Sequence, residues 1–138
     1  MSEHFVVDAS VAIAWVHPAR VTAKAQELLE AVQNGAQVEA PALWPLEVAN
    51  ALLVLERRSK LTETERTTAL NWLKQLSVKL DSEMAALAFT KVSELAAEHV
   101  LSAYDATYLE LCLRKSLPLG CKDGALKEAA KNCGVKVL

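Results

Sequence analysis

The chain has 138 residues, enough for one ordinary domain with a real core, and 52% of them are hydrophobic. Its formal charge is −2, so bulk electrostatics do not advertise a nucleic-acid binder, although a cluster of acids kept for metal binding would lower the balance by itself. Mean hydropathy is +0.16, yet charged residues interrupt every apolar run well short of a membrane span, and the N-terminus lacks a signal-peptide pattern. Three widely spaced cysteines (Cys112, Cys121 and Cys133) make neither a disulfide framework nor a zinc pattern, which points to a reduced, cytoplasmic protein.

His4-Phe5-Val6-Val7 is a short apolar run ending at Asp8 and is expected to be a strand. Ala9 to Val16 follows as a helix that is apolar nearly all round, ended by His17-Pro18. Such a helix is either buried or covered by a partner, and it argues for a dimer or a protein cover. Thr22 to Asn34 is amphipathic and closed by Gly35, and Gln37 to Ala40 is a brief strand ended by Pro41. A long helix is expected from about Leu43 to Ser59, with Leu46, Ala49, Asn50, Leu53 and Leu55 among its periodic positions. Pro45 suits its first turn, which places Glu47 near the N-terminal end.

Thr62-Glu63-Thr64-Glu65 is a capping box opening a helix through Leu76. Val78-Lys79-Leu80 is a candidate strand, and Ser82 to His99 is helical in one or two pieces. Ser102 is the N-cap of a helix running to about Lys115, in which Leu101, Tyr104, Tyr108, Leu109 and Leu111 to Leu113 give a core-facing character. Asp105 breaks that character near the helix start. Leu117 to Cys121 is a strand whose proline favours a start or an edge. Gly124 to Asn132 is the last helix, and Val135 to Leu138 the last strand. The basic groups Arg57, Arg58, Lys60, Arg114, Lys115, Lys122, Lys127 and Lys131 fit solvated helix ends. Strands alternating with helices predict an α/β fold with a mostly parallel sheet, in one compact domain over residues 1–138.

Asp8 and Asp123 each directly follow a predicted strand, and Glu47 and Asp105 lie in first helical turns. In open parallel sheets all four positions belong to the carboxyl edge of the strands, where ligands bind at a reversal of strand order. Four carboxylates do not share a site unaided, because repulsion raises their pKa values or drives them apart. A hard cation with oxygen ligands, Mg²⁺ or Mn²⁺, resolves the conflict and suits phosphodiester hydrolysis. Asn50, three residues after Glu47 on the same helix face, is a candidate to orient it and equally an ordinary polar position. His99 fits a helix-ending cation better than a general base, and Ser10 lacks the elbow motif of a hydrolase triad. Trp15, Trp44 and Trp72 fit core or partner-facing anchors.

Phe5-Val6-Val7-Asp8-Ala9-Ser10, Glu47 early in a helix, Leu101-Ser102-Ala103-Tyr104-Asp105-Ala106-Thr107-Tyr108-Leu109, and Cys121-Lys122-Asp123 before a final helix and Gly134-Val135-Lys136-Val137 resemble the PIN-domain family. Within it, the VapC-type toxins of toxin–antitoxin pairs are the nearest likeness, and it covers nearly the whole chain. The resemblance implies a three-layer α/β/α sandwich and Mg²⁺- or Mn²⁺-dependent cleavage of RNA. It also implies dimerisation and inhibition by a small antitoxin protein. By motif position Asp8, Glu47, Asp105 and Asp123 match the acidic quartet, and Ser10 matches the hydroxyl residue beside the first acid. One position departs: two residues before the last acid the family usually has Thr or Ser, and this chain has Cys121, a poor hydrogen-bond donor. Two other readings stand beside it. One is a PIN-like binding module without turnover; the other is a phospho-accepting receiver domain, which usually carries paired acids after its first strand where this chain has Asp8 alone.

Overall fold

The computed structural model describes residues 3–122 and 124–138. Strand β1 (His4–Val7) buries Phe5, Val6 and Val7 completely, as expected of a central parallel strand covered on both faces. Asp8 then caps helix α1 (Ala9–Val16) by accepting the Val11 N–H at 3.2 Å. Thr22 caps α2 (Ala23–Gln33) in the same way, and β2 (Gln37–Pro41) follows. Helix α3 (Trp44–Arg57) has proline in its first turn, and α4 (Glu63–Lys74) opens on the expected Thr62–Glu65 capping box.

Strand β3 (Val78–Asp81) leads into α5 (Met84–Leu87), a π-helical segment (Ala88–Val92) and α6 (Ser93–His99). The expected helix over Ser82–His99 is therefore broken by one widened stretch. Helix α7 (Ala103–Lys115) is capped by Ser102, and β4 (Leu119–Gly120) and α8 (Ala125–Asn132) complete the chain.

The sheet order is β3-β2-β1-β4, all parallel, with His4 beside Gln37, Val6 beside Leu119 and Val38 beside Val78. Helix α1 packs on α2 and α3, and α3 on α4, forming one layer. On the other side α7 packs on β1 and β2 and against α6 and α8. The result is the three-layer α/β/α sandwich. Gly120 permits a close approach between layers, since a Cβ there would meet the Leu28 side chain of α2 at 2.8 Å.

Several expectations change. The strand placed at Leu117–Cys121 shrinks to two residues, because Pro118 has no N–H and joins the ladder only through its carbonyl, which accepts from Val6 N at 2.9 Å. The final strand reduces to a single bridge from Val137 to Leu119. The apolar α1 needs no partner, since Val11, Ala12, Ile13 and Ala14 are buried by its own chain and Trp15 Nε1 donates to the Ala25 carbonyl at 2.8 Å. In α3 the buried stripe is Trp44, Val48, Leu52 and Leu55, while Leu46 is 75% exposed. In α7, Tyr108, Leu109 and Leu111 are buried as expected but Tyr104 is 66% exposed and Leu113 lies at the surface.

Arg114 and Lys115 are not solvated ends. Arg114 holds Asp81 at 2.6 Å, Glu83 at 2.7 Å and Glu110 at 2.9 Å, and Lys115 holds the buried Glu39 at 2.7 Å.

Candidate active site

From β1 the chain steps outward through β2 to β3, then returns to place β4 on the other side of β1. The strand order therefore reverses between β1 and β4, and the crevice outside their carboxyl ends is where an open α/β sheet binds ligands. Asp8 is the first residue beyond β1. Its N–H donates to the Gly120 carbonyl at 3.1 Å, which ties it to β4.

Ser10 couples the two strand ends. Its hydroxyl donates to Asp8 Oδ1 at 2.6 Å and accepts the Lys122 N–H at 3.2 Å. The segment leaving β4 is thus drawn to the Asp8 cap. Asp123 itself lies outside the described residues. After it, Gly124 holds φ +137, a conformation that favours glycine, and α8 begins at the next residue.

Glu47 enters from the first turn of α3, and its Oε1 accepts the Tyr108 hydroxyl of α7 at 2.5 Å. That bond crosses from one helix layer to the other at the rim of the sheet. Asp105 enters from the first turn of α7, where its N–H donates to Ser102 Oγ at 3.0 Å. Three of the four acids expected to converge do so.

Their titration reports the same proximity. Burial pushes the Asp8 carboxyl up to about 6, the hydrogen bonds from Ser10 and Val11 resist this, and the charges of Asp105 and Glu47 add to the rise. Burial also raises Glu47, against the Tyr108 hydrogen bond and with the Asp105 charge, and burial raises Asp105. The Tyr108 phenol is pushed far above its ordinary value by burial and by Glu47, so it stays a donor. Among the described residues no Lys or Arg bonds to Asp8, Glu47 or Asp105. Nor, among those residues, is any set of three His, Cys, Asp or Glu side chains drawn together closely enough to hold a metal ion. The donor set is nevertheless all carboxylate oxygen, which suits a hard divalent cation.

Beside Ser10 opens a groove of about 370 Å³, walled by Ile13 and Val54 and bearing Arg20, Arg58 and Lys122. Lys122 Nζ donates to the Arg20 carbonyl at 3.3 Å. Arg20 was not singled out in the sequence, and neither was the Glu47–Tyr108 bond. Only the position of Tyr108, three residues after Asp105, hinted at the latter, since i and i+3 share a helix face. Asn50 is exposed, and His99 ends α6 with its Nε2 3.2 Å from Cys133 Sγ.

A family model described as the PIN domain matches residues 5–132. The chain belongs to the PIN-domain family. Among solved structures this PIN domain is similar to PAE2754 from Pyrobaculum aerophilum, at 20% identity and TM-score 0.68 over 91% of this chain and 84% of that one. It is also similar to VapBC2 from Rickettsia felis, bound to a DNA fragment from their promoter, at 11% identity and TM-score 0.65 over 98% and 97%. VapC20 from Mycobacterium tuberculosis, a Sarcin-Ricin loop cleaving toxin, aligns at 18% identity and TM-score 0.62 over 91% and 94%. At these identities the likeness is one of fold. No curated protein sequence matches the chain. The receiver reading falls with the family match and with the strand order, which differs from the 2-1-3-4-5 order of CheY-like sheets.

Proposed function

We propose that this PIN domain is a divalent-metal-dependent endoribonuclease and the toxin of a toxin–antitoxin pair. The observation that carries the reading is the mutual elevation of Asp8, Glu47 and Asp105 at the strand-order reversal, with no basic side chain bonded to them among the described residues. A fold does not keep three half-buried carboxyls together for its own stability. A cation is the group they lack.

Asp8, Glu47 and Asp105 would hold Mg²⁺ or Mn²⁺, joined by Asp123 from the segment that Lys122 leads into. Such an ion lowers the pKa of water and offsets negative charge building on the scissile phosphate. The chain's own groups set the stage for it. Ser10 fixes the Asp8 carboxylate in one rotamer, and Tyr108 does the same for Glu47. Arg20, Arg58 and Lys122 give the groove local positive charge despite the net charge of −2, which suits a phosphate backbone.

A small antitoxin protein is the proposed regulator, consistent with the VapBC2 complex among the fold relatives. The proposed working form is a cytoplasmic homodimer. Phe89 and Val100, at 98% and 87% exposure, are apolar groups that a partner would cover. No helix among the described residues is long and apolar enough to cross a membrane.

Cleavage of total RNA by the partner-free protein, in Mg²⁺ or Mn²⁺ and in EDTA, tests the reading. Metal-dependent discrete fragments support it. Intact RNA from folded, metal-supplied protein would point instead to a binding module without turnover.

A further inference from the structure

We propose that Tyr104 is a base-stacking platform at the rim of the acid site, which makes unpaired RNA the substrate and excludes duplex. The inference rests on the nuclease reading above. Tyr104 immediately precedes Asp105 in the first turn of α7, and Leu46 immediately precedes Glu47 in the first turn of α3. Both are large apolar side chains, 66% and 75% exposed. The other residues of these two turns are accounted for locally: Trp44 is buried, and Ser102 caps α7. Exposure of Tyr104 and Leu46 is therefore confined to the two positions next to site acids.

The charge on the other side completes the picture. The groove with Arg20, Arg58 and Lys122 opens from Ser10 and Ala9, beside Asp8, on the α1–α3 side. A strand whose phosphate reaches the acids thus meets cations on the α1–α3 side and an aromatic face on the α7 side. Base-on-aromatic stacking tolerates any base but requires an unstacked, unpaired one, and it combines with a cationic track in single-strand binders generally. A duplex keeps its base faces covered, so it gains nothing from Tyr104. The hydroxyl plays no part, so Phe or Trp serves as well as Tyr.

The test uses the full chain with Tyr104→Ala, Tyr104→Phe and Tyr104→Trp. Fluorescence anisotropy with a labelled single-stranded oligoribonucleotide and its duplex, in EDTA, measures binding without turnover. Tyr104→Ala should weaken single-strand binding about fivefold or more, with Phe and Trp near wild type and duplex binding unchanged by any of the three. In Mg²⁺ the same loss should enter KM, with kcat changed less. Equal single-strand binding by Tyr104→Ala and wild type overturns the proposal, as does a Phe variant as weak as Ala. A Tyr104→Ala protein that changes oligomeric state in light scattering overturns it too, by assigning the ring to a protein contact. Wild-type protein that binds the single strand through Tyr104 but never cleaves would leave the platform standing and remove the nuclease reading.

Discussion

The molecule holds two groups of carboxylates, and it treats them in opposite ways. Glu39, Asp81 and Glu110 are 1%, 6% and 5% exposed, yet each is matched by a cation, Lys115 for the first and Arg114 for the other two. Burial alone would raise Glu39, but the hydrogen bonds of Lys115 and His4 outweigh it and hold the carboxyl below its ordinary value. Asp8, Glu47 and Asp105 sit at the rim of the same sheet, are less buried, and are all raised. The first group is finished by folding. The second is left anionic and crowded, which costs stability and is what a metal-binding site needs before its ion arrives.

The difference can be broken from either side. The largest effect is expected at the rim: Asp105→Asn should abolish RNA cleavage while leaving the circular dichroism spectrum and melting cooperativity of the wild type. A folded Asp105→Asn protein that cuts RNA at the wild-type rate would remove Asp105 from the site. Next comes the matched group, where Arg114→Ala leaves Asp81 and Glu110 buried without their partner. It should destabilise the fold by about 3 kcal/mol in urea titration, with metal binding at the rim untouched.

The smallest effect has the opposite sign. The Asp8 pKa is about 6 in the folded chain, above its ordinary value of 3.8, so the folded state holds the proton more tightly than the unfolded one. The stability this confers is complete below pH 3.8, is lost as pH rises through about 6, and leaves a deficit above that. Asp8→Asn keeps an oxygen for Ser10 and for the Val11 N–H but removes the charge. In EDTA at pH 7.5 it should stabilise the protein by on the order of 1–2 kcal/mol, and at pH 3.5 the gain should vanish. Equal gains at both pH values would show that charge crowding is not the cause.

The sequence made the rim legible because its signals are local. A hydrophobic run ending at Asp8 gives both the strand and the cap, and the Ser102 cap and the Thr62–Glu65 box mark helix starts within one residue of where they lie. Parallel order then brings strand ends and helix starts to one edge without any side-chain detail. Arg114 and Lys115 were misread as solvated because their partners Asp81 and Glu39 are 33 and 76 residues away, a distance periodicity does not span. Tyr104 and Leu46 were misread as core for a related reason. Each is apolar at helical spacing, but the first turns of α3 and α7 leave them exposed beside the site acids. The apolar α1 shows the limit of the partner argument, since its covering came from α2 and α3.

Calorimetric titration of Mn²⁺ into wild type and into Asp8→Asn/Asp105→Asn at pH 7.5 tests the central claim most directly. The account predicts saturable binding to wild type, weakening as pH falls through about 6 where Asp8 takes up its proton, and loss of that binding in the double variant. Equal Mn²⁺ binding by the folded double variant, or none by wild type, would contradict it.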